Sequence, residues 1–136
     1  LAQHLEDHHP DHACTGRIAR EAWYLAGLAR LAEQTGGGAA HRPRRFYHYM
    51  SHVPFDPTFV VDIGSVWERK RELVACYESQ LKPQGAGDDG RHFLYGSDIQ
   101  QRMETRARFY GERIAARHGE PLLATGPLPC FDPLLG

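Results

Sequence analysis

The chain has 136 residues and a formal net charge of −1 with histidines neutral, and charged side chains make up 24% of it. That length suits one domain or part of one with room for a real core. The near balance of charge gives no global field for nucleic acid or a membrane surface, so an anionic partner would need a local cluster. Cys14, Cys76 and Cys130 are odd in number, far apart and form no Cys-x-x-Cys pair, which reads as reduced thiols in a cytoplasmic protein. No run approaches the roughly 18 to 20 apolar residues that span a membrane as a helix.

In chain order, Asp7-His8-His9-Pro10-Asp11-His12 comes first, with three imidazoles and two carboxylates in six residues. Neutral imidazole is the commonest side-chain metal ligand, and a ligating ring needs a carboxylate or carbonyl on its other nitrogen. This segment holds candidates for both roles, although a solvated His-rich turn would look the same. The chain begins at Leu1, close to this motif and without an element ahead of it, so the expectation is the C-terminal part of a longer protein.

From Ala13 to about Glu33 apolar residues fall at Ile18, Ala22, Leu25, Ala29 and Ala32, a spacing that predicts one core-facing helix with Asp11 as N-cap. Gly36 to Gly38 ends it. Arg44 to Met50 alternates as a strand would, and Phe59-Val60-Val61 reads as a short buried strand. Arg42, Arg44 and Arg45 at the strand start are either a solvated cluster or a guanidinium fork for a carboxylate or phosphate.

Ser65-Val66-Trp67-Glu68 has the form of a capping box opening a helix with Val66, Leu73, Tyr77 and Leu81 on one face. Residues 82–97 read as a long loop. Ser97 to Gln100 forms a second capping box, before a helix carrying Ile99, Met103, Ala107, Tyr110 and Ile114 on one side, with Gly119 as its stop. The proline-rich tail from Glu120 to Gly136 reads as an extended strap. Strands interleaved with helices predict an α/β layered architecture with ligands at the carboxyl ends of the strands.

Several of these segments together resemble a known family. His9-Pro10-Asp11-His12 with the following small-residue helix, and His41 through Met50, resemble the LmbE-like (PIG-L) deacetylases. Phe59 to Ile63, Val66 to Lys70, Tyr77 to Gln80, Arg106 to Gly111 and Gly119-Glu120-Pro121 are similar to the bacillithiol-pathway branch. The resemblance runs over essentially the whole chain. It implies a Rossmann-like layered fold with a mostly parallel sheet, here lacking its N-terminal strands, and places residues 1–136 in the C-terminal part of one deacetylase domain.

The resemblance further implies a zinc-dependent N-deacetylase of an N-acetylglucosaminyl conjugate, the malate conjugate first. A mycothiol-type inositol conjugate or another acetamido sugar is the second substrate reading, and a non-catalytic structural relative is the rival. His12 would be the family's C-terminal zinc ligand, His9 the imidazole facing the substrate carbonyl, and Asp11 the residue orienting His9. Arg42, Arg45 and Tyr110 are the candidate substrate contacts. The partners expected are a small amino-sugar conjugate and further copies of the chain, with no nucleic acid or membrane. The family's remaining zinc ligands and general base lie in a His-Pro-Asp-Asp motif that this chain does not contain, and His8 stands where the family often has arginine.

Overall fold

The computed structural model describes residues 1–36, 38–77 and 99–129. Its elements are β1 (Ala2–Gln3), α1 (Pro10–Leu25), α2 (Ala29–Thr35), β2 (Tyr47–Tyr49), β3 (Phe59–Asp62), α3 (Trp67–Ala75), α4 (Ile99–Glu112) and β4 (Gly119–Ala124). They form a mixed α/β fold around an open four-stranded sheet in the order β1-β2-β4-β3. β1 and β2 are parallel, with Ala2 opposite His48 and Gln3 opposite Tyr49. β2 and β4 are antiparallel, with His48 opposite Leu123. The chain divides into two compact units, residues 1–59 with 121–136 and residues 60–120.

In the first unit, α1 is the crossover between the parallel strands, as a parallel pair requires. It starts earlier than its apolar pattern suggests, at Pro10, whose fixed φ and missing N–H suit a first helical position. The cap is His9 rather than Asp11: the His9 ring accepts the Asp11 N–H, and Asp11 lies in the first turn. The face turned inward differs too. Gly16 is buried, with His12, Ala19 and Trp23 partly buried beside it, whereas Ile18 and Leu25 of the apolar stripe are 61% and 43% exposed.

The cause is close approach. A Cβ on Gly16 would stand 2.6 Å from the Gln3 carbonyl oxygen, so only glycine lets α1 lie this near β1. Small residues, not large apolar ones, choose the face. The single helix expected to Glu33 is also broken after Leu25. Gly27 sits there against the Arg42 guanidinium, Leu28 is extended, and α2 then runs to a left-handed Gly36.

His48 ties the parallel strands together. It is 3% exposed, donates from Nδ1 to the Gln3 carbonyl at 2.6 Å, and meets the Phe46 and His4 rings edge-on. Burial holds this imidazole below its usual range despite the opposing pull of the Gln3 carbonyl. It is a neutral structural histidine beneath the ends of β1 and β2.

The start of the proline-rich tail is β4, paired with β2 inside the sheet rather than a strap across it. Pro121 is fully buried but stands just outside the paired run of Leu122 to Ala124, where its missing N–H leaves the β2 ladder intact. After β4 the described chain runs on to residue 129 without regular structure, and residues 130–136 of the tail lie outside the described residues.

The second unit packs Ile63, Trp67 and Ala107 together, with Met103 against them. Trp67 stacks on His118 at 4.4 Å, and the His118 ring reaches Glu104 at 3.2 Å. The capping box at Ser65 does not form. A short 3-10 turn occupies Gly64–Val66, Asp62 accepts the Gly64 N–H, and α3 starts at Trp67 without a side-chain cap. Val66 and Leu73 are accordingly exposed, because the buried Trp67 turns the helix one residue away from the expected face; Tyr77 is exposed beyond the end of α3, and Leu81 lies outside the described residues. α4 buries Ala107 and Tyr110 as its spacing predicts, with Gly111 beside them, but it ends at Glu112, so Ile114 of the expected stripe falls beyond it and is 40% exposed. Gly119 opens β4 instead, where a Cβ would press on Gly111 and Tyr110. The 82–97 loop and the capping box at Ser97 lie outside the described residues.

Candidate metal centre at the ends of β1 and β2

The site is built where two parallel neighbouring strands end. β1 stops at Gln3 and leads into Asp7 to His12, and β2 stops at Tyr49 and leads into Ser51 and His52. Loops at the carboxyl ends of adjacent parallel strands converge, and this is where α/β sheets hold their ligands. Asp7, His12 and His52 meet there. Each offers one ligand atom, and these atoms lie within 4.8 Å of one another.

Asp7 is the centre of the group, with a side chain only 1% exposed. Oδ1 accepts the His9 N–H at 2.8 Å and lies 2.8 Å from His52 Nδ1 and 3.3 Å from His12 Nδ1, while Oδ2 accepts the His52 N–H at 3.1 Å. Burial alone would push this carboxyl up. The bonds from the His9 and His52 amides and the His52 ring overcome it and hold Asp7 well below the usual carboxylate range. Nearby Tyr49 moves the other way, raised by burial and by the charge on Asp7, so its phenol stays protonated.

The imidazoles lie side by side. His12 and His52 have ring centroids 4.8 Å apart and planes within 7°, and His9 stacks on His12 at 4.8 Å and 25°. Ser51 Oγ lies 3.0 Å from His12 Nδ1. The three rings keep between about a quarter and a third of their side-chain surface open, with His9 the most open at 35%. A ligand can therefore reach the imidazoles while the carboxylate beneath them stays dry.

Two imidazoles with a carboxylate are a zinc donor set, and a buried, ionised Asp7 supplies the negative charge that a divalent cation needs. The residues present fit such an ion. His52 was not among the sequence candidates. A lone histidine forty residues from His12 carries no motif, and only its place directly after a strand parallel to β1 could have pointed to it.

The remaining candidates fall as follows. His9 Nδ1 accepts the Asp11 backbone N–H at 3.2 Å, while the Asp11 carboxylate is 4.0 Å from that atom and 86% exposed. The backbone of Asp11, more than its side chain, thus fixes the ring. Arg42 donates to the Tyr24 carbonyl at 2.8 Å, with its guanidinium 4.7 Å over the Tyr24 ring and 5.6 Å over that of Trp23. Arg45 lines a cavity of about 420 Å³ with Arg44, Trp23 and Tyr47 in the first unit. Tyr110 belongs to the second unit, 6% exposed, edge-on to Phe109 and beneath the Arg113 guanidinium. Among the described residues no helix is long and apolar enough to cross a membrane.

No protein-family model matches the chain. Solved structures do. The conserved protein TT1542 from Thermus thermophilus is 28% identical with a TM-score of 0.73, over 95% of this chain and 52% of its own. GalB, the 4-carboxy-2-hydroxymuconate hydratase of Pseudomonas putida, is 20% identical with a TM-score of 0.66, over 97% of this chain and 53% of its own. The N,N′-diacetylchitobiose deacetylase of Pyrococcus horikoshii is 24% identical with a TM-score of 0.61, over 95% and 45%. The chain thus spans about half the length of the structures it matches. Over that half it carries the α/β fold of an N,N′-diacetylchitobiose deacetylase, a fold that a hydratase also uses.

Proposed function

We propose that the chain is the C-terminal part of a zinc-dependent N-deacetylase of the LmbE-like family, acting on an N-acetylglucosaminyl conjugate, with the malate conjugate of bacillithiol synthesis as first substrate. The observation that carries this reading is the meeting of Asp7, His12 and His52 beside His9 at the ends of two parallel strands. The fold shared with a deacetylase supports it. Whole-protein activity needs groups from the full-length polypeptide, because the resemblance leaves the family's remaining zinc ligands and its general base outside this chain.

Amide hydrolysis requires an activated water, a stabilised oxyanion and a proton for the leaving amine. A zinc ion in the Asp7, His12 and His52 cluster would supply the first and polarise the carbonyl. The chain's own residues do the rest. Because His9 Nδ1 accepts the Asp11 N–H, the neutral ring carries its proton on Nε2, and that atom is the donor it offers. Such a donor, fixed at the first turn of α1, can stabilise negative charge on a substrate oxygen; it passes a proton to the departing nitrogen from the imidazolium form, with the Asp11 carboxylate 4.0 Å from Nδ1 to pair with the charge, and so returns to the neutral ring. The aromatic packing of His9 against His12 keeps donor and metal ligand in one frame.

His9→Ala in the full-length protein tests this role. General acid/base catalysis contributes roughly 10²- to 10⁴-fold, so turnover should fall by at least about 10². A loss within about tenfold would remove His9 from the chemistry. Assaying the malate and inositol conjugates side by side decides the substrate, and absence of turnover on both, with no zinc bound, would favour the non-catalytic reading.

A further inference from the structure

His12 is the zinc ligand that the family resemblance places in this chain, and its ring plane is set by stacking. The His9 and His52 rings both lie against it, each with its centroid 4.8 Å away. Stacking fixes a plane but not an edge, because a half-turn about Cβ–Cγ leaves the plane alone while it exchanges Nδ1 with Cδ2 and Nε2 with Cε1. A directional bond has to choose between the two. Ser51 Oγ makes that bond, 3.0 Å from His12 Nδ1. The half-turned ring would offer the hydroxyl only carbon. The Asp7 carboxylate, whose bonds go to the His9 and His52 groups, adds its charge at 3.3 Å from the same nitrogen.

The hydroxyl stands on anchored backbone. Met50 before it is 5% exposed, and His52 after it is held to Asp7 through both its N–H and its ring. We propose that Ser51 is the positioning residue of His12: its hydroxyl on Nδ1 selects the edge of the ring and so turns Nε2 to the zinc ion. The hydroxyl can donate or accept, so the bond orients the ring whichever nitrogen holds the proton. Once zinc is on Nε2 the ring proton is on Nδ1, and Ser51 Oγ accepts it. A residue in the turn after β2 thereby sets a ligand carried by α1, 39 positions away in the chain. The inference rests on the zinc reading of His12 above, but not on the substrate.

The test uses the full-length protein and zinc alone. Calorimetric titration of Ser51→Ala should show binding weakened about 10- to 100-fold at unchanged stoichiometry, the usual effect of losing the partner behind a ligating imidazole. Ser51→Thr, which keeps the hydroxyl, should bind as the wild type does. Unchanged affinity in Ser51→Ala, or equal weakening in both variants, would overturn the proposal. A second readout needs no variant of Ser51. In the zinc-loaded wild type labelled with ¹⁵N-histidine, long-range ¹H–¹⁵N spectra assigned with His12→Ala should show the His12 proton on Nδ1 and zinc on Nε2. Zinc on Nδ1 would overturn the proposal. A wild type that takes up no zinc removes the inference together with the reading it rests on. Zinc behaviour as stated, without hydrolysis of any acetamido sugar, removes the deacetylase reading alone.

Discussion

Replacing Asp7 by alanine is the perturbation whose energetic effect can be worked most fully. The carboxylate accepts from the His9 amide, the His52 amide and the His52 ring at 2.8, 3.1 and 2.8 Å, with a side chain 1% exposed. A bond to a charged group contributes roughly 1.5 to 3 kcal/mol, and water entering the space left by the side chain would recover part of three such bonds, leaving a loss of about 3 kcal/mol. That is about two orders of magnitude in the folded-to-unfolded ratio. Urea unfolding of the full-length wild type and Asp7→Ala at pH 7 measures it.

The pH series adds a signed check. Asp7 is held below its ordinary value of 3.8 in the folded state, so on acidification the unfolded chain takes up the proton first. Its contribution is therefore fully present above the unfolded value and is lost as pH falls below about 4 towards the lower folded value. The stability gap between wild type and Asp7→Ala should be widest above that range and narrow steadily beneath it. A gap under about 1 kcal/mol at pH 7, against the about 3 expected from the bonds it makes, would show that the carboxylate is not the centre of the site. A gap that widens below pH 4 would show that the sign is wrong.

Other consequences can be measured in the same protein. Gly16→Ala places a methyl 2.6 Å from the Gln3 carbonyl oxygen, so α1 must move off β1 at a cost of about 1 to 3 kcal/mol, and zinc affinity should fall with it because His9 and His12 ride on the same helix; unaltered stability by denaturant titration would refute that packing. Trp67→Ala, which removes a ring 3% exposed and stacked on His118, should cost about 3 to 5 kcal/mol by the same titration, and a loss below about 1 kcal/mol would deny it a core role. Val66→Ala, by contrast, changes a residue 53% exposed and should shift stability by no more than about 0.5 kcal/mol.

These outcomes separate what local sequence could reveal from what it could not. The His9 to His12 turn was legible because its residue types, its proline and the helix after it lie within one contiguous stretch, and the alternation of strands and helices pointed to the α/β sheet. His52 was not legible, since its contact with Asp7 spans 45 residues and depends on β2 lying parallel to β1. Helix faces were misread where one residue overrode periodicity. Gly16 decides how α1 meets β1, although it adds nothing to an apolar count, and Trp67 decides α3 against three apolar residues that point outward. Prolines suggested a strap at the C-terminal end, yet Pro121 sits beside a ladder that its missing N–H does not interrupt.

The most direct measurement of the central claim is acetate release from N-acetylglucosaminyl malate by the full-length protein before and after removal of metal by chelation. Turnover should be lost on chelation and return on addition of one equivalent of zinc to the wild type, but not to His12→Ala. Turnover that survives chelation, or a zinc-loaded protein that releases no acetate, would contradict the account.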